Sequence, residues 1–378
     1  MLKKTLGLKI KINNSLLNFI EIDLKKLEHN YHAIRSLLNP ETKMIGVVKA
    51  NAYGSEVNSI AEKLVSLGID ALAVAYTEEG IQLRNQGIKA RILVFYPQIE
   101  NFKLLISADL EPALYSKKSW LAFEKNILDQ KKTNYPVHIK YNTGLNRIGF
   151  NPADSEWVIN EIKKDTFKIK SVYSHLGASE ENRPNEFSQK QLALFDEIMI
   201  HHKKNSKSET DFHLLNTSGI FNYPELHLDW VRCGIGLYGF ANQPQWNQKL
   251  KPIGKLISTI TQIHSIKSGE TVGYNCGWTA HENTRIAVLP LGHADGIARH
   301  YGQGNGWVSI QGEKAPIVGN ICMDMIMVEI KNLPCQEGDE VEIFGTVNTA
   351  EAFAEKGNTI SYELLSGLGK RIERRILK

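Results

Sequence analysis

The chain predicts an α/β fold, an N-terminal (β/α)8 barrel of the TIM type followed by a mostly β C-terminal domain. Three observations carry this expectation. Apolar, strand-like runs recur near residues 44–50, 70–75, 91–96, 111–115, 136–142, 169–175, 212–216 and 229–235. Amphipathic segments lie between most of them, such as V-N-S-I-A-E-K-L-V-S-L-G (57–68) and F-S-Q-K-Q-L-A-L-F-D-E-I (187–198). Eight strand–helix units in roughly 210 residues match the arithmetic of a closed parallel barrel, with an open doubly wound sheet as the alternative. After Pro252 the texture changes, and strand-like runs follow one another without long helices between them.

Taken in order, N-F-I-E-I-D (18–23) alternates like a strand, and Asp23 is placed to cap a helix from Leu24 to about Leu38. The apolar run Met44–Val48 reads as a short buried strand ending in Lys49, with turn-forming residues up to Gly54. The barrel is expected over 18–250. The β domain is expected over 251–378, with 10–23 as its candidate first strand. Its strand-like runs lie at 256–266, 284–291, 307–310, 315–330 and 340–344, and K-S-G-E, Q-G-E-K and Q-E-G-D-E separate several of them.

Composition narrows the function classes. The 378 residues suffice for two domains with sizeable cores. Apolar content of 42% and charged content of 23% are ordinary for a globular protein. The net charge of +4 is spread through the chain without a basic stripe, which argues against nucleic acid as a partner. No apolar run reaches the ~18 residues of a membrane helix. The start, M-L-K-K-T-L-G-L-K-I-K-I, is basic, but Lys9 and Lys11 interrupt any signal-peptide core, so it reads as mature protein or an ordered extension. Cys233, Cys276, Cys322 and Cys335 form no C-x-x-C pair; neither a metal site nor a disulfide framework is indicated, and reduced thiols fit a cytoplasmic protein.

Barrel enzymes place their chemistry at the C-terminal ends of the strands. Lys49, Lys140, His175, Thr217 and Arg232 sit at or just past such ends. Each has an ordinary structural reading: a snorkelling lysine, a satisfied core histidine, a threonine capping a turn. Five together at one barrel mouth point instead to a site. A lysine desolvated at the end of a buried strand has a lowered pKa and a lone pair free for covalent chemistry with a carbonyl.

The string V-V-K-A-N-A-Y-G (47–54) closely resembles the pyridoxal phosphate (PLP) lysine motif of the alanine racemases, and the resemblance runs from about residue 18 to the C-terminus. It implies that Lys49 bonds the cofactor and that Tyr53 touches its phosphate. K-Y-N-T-G-L-N-R-I-G-F (140–150) matches a family segment whose first lysine, here Lys140, is often carbamylated; here a carbamate and an unmodified lysine in an ion pair both stand open. The arginine of that segment, Arg147, is implied to contact the cofactor phenolate and the substrate carboxylate.

His175, in Y-S-H-L-G-A-S-E, matches the histidine that stacks on the pyridine ring, and Thr217 stands where the family has a phosphate-binding serine. In V-R-C-G-I-G-L-Y-G the resemblance assigns the amides of Gly234 and Ile235 to the phosphate and Arg232 to the pyridine nitrogen. Guanidinium has donors only, so that nitrogen must accept and stay unprotonated, which weakens the electron sink and disfavours transamination. Tyr274, in G-E-T-V-G-Y-N-C-G-W, is implied as the second catalytic base, reaching into the barrel of a homodimer partner. Met323 matches the residue whose amide helps bind the substrate carboxylate. Asp324 and His293 fall at the substrate channel, and Tyr362 matches a tyrosine near the phosphate.

The sequence departs from the family pattern at Ser55–Glu56, where His-Gly is usual, and at Asn142 for Asp, His293 for a channel tyrosine and Asn320 for arginine. The resemblance implies interconversion of L- and D-alanine by two bases, supplying D-alanine for peptidoglycan. Its rivals are another amino-acid racemase or a basic amino-acid decarboxylase on the same architecture, and a non-catalytic PLP-binding protein. Arg232 and Tyr274 argue against decarboxylation, and the β domain with Tyr274 and C-M-D argues against the non-catalytic reading.

Overall fold

Eight short strands close on themselves, and that closure sets the strand-end side chains of the candidate site around one mouth. The computed structural model describes residues 17–181, 185–205, 209–241 and 243–378. The N-terminal stretch with Lys9 and Lys11, and residues 10–16 of the candidate first strand, lie outside the described residues. Strand β1 is Phe19–Asp23. The barrel strands are β2 (Lys43–Val47), β3 (Ala71–Val74), β4 (Ile92–Val94), β5 (Glu111–Leu114), β6 (Tyr135–Lys140), β7 (Phe167–Tyr173), β8 (Asp211–His213) and β9 (Trp230–Cys233). They pair in parallel in chain order, and β2 pairs with β9 to complete a closed barrel. Closure rules out the open doubly wound sheet. The closing register sets Ile45 beside Arg232 and Gly46 beside Cys233, so the strand leading to Lys49 runs next to the one carrying Arg232.

Local chemistry accounts for the helices around the barrel. The Asp23 side chain accepts from the backbone N–H groups of Lys25 and Lys26, and the helix it caps runs Leu24–Arg35. That is shorter than expected, because the chain turns at Ser36. The helix Val57–Ser66 buries Val57, Ile60, Ala61 and Leu64, the i, i+3, i+4, i+7 face of a helix lying on a sheet. It packs over Gly46: a Cβ there would lie 3.2 Å from Leu64 Cδ1. Burying Ile60 and Leu64 contributes roughly 1.5–3 kcal/mol each, and Leu64→Ala should cost about 2–5 kcal/mol.

The chain divides into two compact units. One holds the barrel, Glu21–Lys255, together with Thr349–Leu368 and Ile376–Lys378. Two short helices, Ala350–Lys356 and Ser361–Ser366, therefore belong to the barrel unit and not to the β domain expected over 251–378. The other unit is built on Leu256–Asn348, with Gly369–Arg375 and the stretch ending at Ile20.

Its strands are β10 (Gly254–Thr259), β11 (Gln262–Ile266), β12 (Thr271–Val272), β13 (Trp278–Thr279), β14 (Thr284–Leu289), β15 (Trp307–Ile310), β16 (Glu313–Val318), β17 (Ile326–Glu329), β18 (Glu340–Phe344) and β19 (Glu373–Leu377). A nine-stranded sheet runs β11-β14-β17-β16-β15-β18-β10-β1-β19, so β1 joins this sheet and not the barrel. β12 and β13 form a separate ribbon whose connection carries Tyr274. Val272, Ile286, Val318 and Met327 form a core cluster in this unit. Among the described residues no helix is long and apolar enough to cross a membrane.

Candidate active site

The C-terminal mouth of the barrel opens into a cavity of ≈ 590 Å³, and the residues lining it all belong to the barrel unit. All five strand-end residues line it, as do Tyr53, Arg147, Gly234, Ile235 and Tyr362.

Lys49 is carried by an unusual turn. Directly after it Ala50, Asn51, Ala52 and Tyr53 all have positive φ, between 52° and 54°, so the chain makes one turn of left-handed helix. None is glycine, and each costs about 1–2 kcal/mol relative to a right-handed conformation. Three contacts hold the turn. Glu79 accepts from the amide of Ala50 (2.7 Å) with one carboxylate oxygen and from those of Ala75 (2.7 Å) and Tyr76 (3.2 Å) with the other. Asn51 Oδ1 accepts from Val57 N (3.0 Å). Gly54, at φ 79°, fits against the carbonyl of Leu365, where a Cβ would come within 2.1 Å of the oxygen. Burial lowers the pKa of the Lys49 amine, the charge of Arg147 lowers it further, and Glu79 opposes both.

Thr217 Oγ1 accepts from the backbone N–H groups of Gly234 (3.0 Å) and Gly236 (3.3 Å), tying the end of β8 to the turn after β9. Gly234 has no room for a side chain: a Cβ would lie 2.3 Å from the Tyr53 hydroxyl. The Tyr53 ring sits 4.6 Å from that of Tyr238 and 5.9 Å from that of Tyr362, and burial pushes its phenol well above the ordinary tyrosine range. Backbone amides and three hydroxyls thus gather at one corner of the cavity.

Arg232 is buried and fixed. Nη1 donates to His213 Nδ1 (2.7 Å); Nη2 donates to the carbonyls of Leu214 (2.8 Å) and Ser174 (2.9 Å) and lies 3.1 Å from His175 Nδ1. Burial lowers its pKa to about 10, which leaves it a cation at neutral pH. Both histidines must accept at Nδ1, because guanidinium only donates. Burial, followed by the charges of Arg232 and Arg147, holds His175 well below the ordinary histidine range, so it is neutral with its proton on Nε2.

Lys140 ends β6, buried, with its Nζ 5.7 Å from the centre of the Tyr173 ring. Burial lowers its amine to about 7, and the charges acting on it, from Arg147, Arg232 and Lys49, are all positive. Arg147 rides on the loop that follows. Asn142 shapes that loop: its Oδ1 accepts from the amides of Gly144 (3.2 Å) and Asn146 (2.9 Å). An aspartate would offer the same acceptor, so this departure leaves the loop's fold intact.

Tyr274, Met323, Asp324 and His293 are surface residues of the β unit. Tyr274 is 69% exposed and Met323 59%. They are drawn together there: Asn320 Nδ2 donates to the Tyr274 carbonyl (2.8 Å), and the amide of His293 donates to the Cys322 carbonyl (3.0 Å). Arg371 pins Asp324 at 2.7 Å while bridging to buried Asp295. Asn320 thus replaces a charge with an amide that shapes the Tyr274 turn.

Sequence reasoning missed three residues near Lys49 and Arg232: Glu79, Tyr173 and His213. Tyr173 lines the cavity, and its ring stacks on His213 at 4.6 Å and 3°. A period-2 signal was present. Tyr173 is two residues from Ser171, and His213 two from Asp211, so each continues an inward face.

Known proteins resemble this chain in sequence and fold. Residues 22–242 match the family model "Alanine racemase, N-terminal domain" and residues 253–376 the model "Alanine racemase, C-terminal domain". The chain belongs to the alanine racemase family. A curated alanine racemase of Nostoc sp. is 34% identical over 367 residues, covering 94% of this chain and 95% of that one. The structure of the alanine racemase of Clostridium difficile 630 superposes with a TM-score of 0.89 at 31% identity, over 96% of this chain and 98% of that one. An alanine racemase from Bartonella henselae, described with covalently bound pyridoxal phosphate, gives 0.87 at 28% identity, over 96% and 99%. The alanine racemase barrel and its β domain thus both have counterparts here.

Proposed function

We propose that this chain interconverts L- and D-alanine, using PLP bound at Lys49 and two bases on opposite faces of the substrate. The observation that carries the reading is one cavity holding a desolvated lysine, a fixed donor-only arginine and a corner of amides and hydroxyls. This donor set fits PLP. Lys49 would bond it, Tyr53, Thr217, Gly234, Ile235 and Tyr362 would hold its phosphate, Arg147 would meet its phenolate, and His175 and Arg232 would meet the ring. When bound, the cofactor withdraws electrons from the substrate α-carbon and acidifies its C–H bond.

The chain's own residues then handle the proton. Lys49, with its lowered pKa, takes or returns it on one face. Tyr274 serves the other face, from the second subunit of a homodimer. An unperturbed phenol titrates near 10, too high for a base at neutral pH. The Nε2–H of neutral His175 supplies a donor that stabilises a phenolate. Arg147 and the Met323 amide orient the substrate carboxylate, while Asp324 and His293 stand at the channel. Lys140 carries a carbamate: an amine at about 7 is nucleophilic toward carbon dioxide, and the product anion would sit among three cations. The product D-alanine would supply peptidoglycan synthesis in the cytoplasm.

The test is a racemisation panel with borohydride trapping. Alanine should be the best substrate, ahead of serine, lysine and arginine. Borohydride should fix the cofactor to the peptide containing Lys49. Release of carbon dioxide from lysine or arginine without racemisation, or label on another lysine, would overturn the reading.

A further inference from the structure

Below Arg232 the barrel interior holds a continuous series of hydrogen bonds that the proposed reaction does not use. His213 Nε2 lies 2.8 Å from Ser171 Oγ, Ser171 Oγ lies 2.6 Å from His138 Nδ1, and His138 Nε2 lies 2.8 Å from Glu111 Oε2. Arg91 closes the far end, donating from Nε to Glu111 Oε1 (2.8 Å) and from Nη2 to Oε2 (2.8 Å). Glu111, His138, Ser171, His213 and Arg232 come from five successive strands, β5 to β9, and all are buried. We propose that Glu111, His138, Ser171 and His213 form a relay that positions Arg232 by fixing which ring nitrogen of His213 carries the proton.

The two ends dictate the direction of every link. Arg232 has no acceptor, so His213 Nδ1 is bare and Nε2 carries the proton. That N–H donates to Ser171 Oγ. The serine hydroxyl then donates to His138 Nδ1, and His138 Nε2–H donates to the ionised carboxylate of Glu111, which accepts only. Each link has one donor and one acceptor, and the series runs without conflict in this sense alone. Buried series of this kind polarise one another and tolerate no unmatched member.

Reversing it would put an N–H on His213 Nδ1 against the guanidinium. Arg232 would lose its 2.7 Å partner and swing on the two carbonyls that remain. A charge at the base of the barrel thereby sets the orientation of the arginine at its mouth. Glu111, His138, Ser171 and His213 touch neither substrate nor cofactor; they are positioning residues. In Glu111→Gln the amide cannot satisfy both neighbours. Glu111 Oε2 takes both the His138 and the Arg91 Nη2 bonds and Oε1 the Arg91 Nε bond, so the NH2 meets an Arg91 donor in either orientation, and at the Oε2 position it also meets His138 Nε2 and drives the whole relay backwards.

The inference rests on Arg232 serving the proposed reaction, but its first test does not depend on activity. In protein labelled with 15N-histidine, long-range nitrogen–proton NMR correlations, assigned by replacing single histidines, report the protonated nitrogen of each ring. In the wild-type holoenzyme His213 and His138 should both be neutral and protonated at Nε2. Glu111→Gln should shift both toward Nδ1–H or a mixture. It should also lower kcat by roughly tenfold to a hundredfold, the loss of one hydrogen bond to a charged group, with KM little changed.

Ser171→Ala should uncouple the rings with a similar fall in kcat, and Ser171→Thr, which keeps the hydroxyl, should restore it. Wild-type His213 protonated at Nδ1 would overturn the proposal even if no variant folds. So would Ser171→Ala with unaltered rings and unaltered kcat, or Glu111→Gln with both rings turned to Nδ1–H and kcat unaltered. A protein with the expected rings but no racemase activity would instead sink the proposed reaction and leave the relay standing.

Discussion

Lys140 and Arg147 show what single residues contribute and how far they could be read in advance. Burial brings the Lys140 amine to about 7, and the positive charges of Arg147, Arg232 and Lys49 act in the same direction. An unmodified lysine adds no negative charge beside Arg147 and Arg232, whereas a carbamate supplies one. Lys140→Ala should therefore raise the KM for alanine, with partial rescue by formate or acetate, and 13C-bicarbonate should give a carbamate NMR signal in the wild type. A bare amine by 13C labelling, together with an unchanged KM in the variant, would contradict this. Residues at strand ends were legible because a polar side chain closing an apolar run has few reasons to be there. Tyr173 and His213 were not, because within S-V-Y and D-F-H an aromatic or histidine on an inward face looks like core. Glu79 was hidden for another reason: it acts on backbone amides, which leave no mark in side-chain chemistry.

At the scale of elements, the left-handed turn after Lys49 is the least legible feature. A-N-A-Y contains no glycine, and alanine favours right-handed helix, so local propensity points the wrong way. Glu79, Asn51 and Gly54 override it. Ala50 is exposed at φ 53°, so Ala50→Gly should relieve strain and raise stability by roughly 0.5–1 kcal/mol in a denaturant melt. Gly54→Ala should do the reverse, costing about 2 kcal/mol or more, because its Cβ meets the Leu365 carbonyl at 2.1 Å. A destabilised Ala50→Gly with an undisturbed Gly54→Ala would mean that the turn is not strained. The helices Ala350–Lys356 and Ser361–Ser366 are hard to read from the sequence, although Thr349 accepts from Ala352 N as a cap and A-E-A-F-A-E-K is a good helix former. They are short, and strand-like runs dominate their neighbourhood. The eight barrel strands were legible because parallel strands buried on both faces read as continuous apolar runs.

For the whole molecule, the count of strands favours a closed barrel over an open sheet, but no local pattern gives the order of the β sheet. β1 and β19 join it from opposite ends of the chain, a pairing set by long-range packing that no local pattern encodes. Folding also buries ionisable groups throughout the chain. Burial holds His138, His175, His202 and His213 below the ordinary histidine range, so they are neutral when folded and take up protons on unfolding. The unfolded chain then binds more protons, and stability must fall as pH drops below about 6.5. Burial would raise the Glu111 carboxyl, but hydrogen bonds from His138 and Arg91 hold it at about 2, adding a second loss between about pH 4.5 and 2. Denaturant midpoints between pH 8 and 5 should decline, and His202→Asn should flatten the slope; a flat wild-type profile would contradict the buried neutral rings.

The central claim is that Lys49 and Tyr274 act on one substrate from two chains, and mixing inactive variants tests it most directly. Lys49→Ala lacks one base in both sites of its homodimer, and Tyr274→Phe lacks the other. In a mixed dimer both lesions fall in one site and the second is intact. After random subunit exchange of an equal mixture, half the dimers are mixed with one working site each, so about a quarter of wild-type activity should return. If Tyr274 served the lysine of its own chain, every site in every dimer would carry a lesion, and no return of activity would contradict the account.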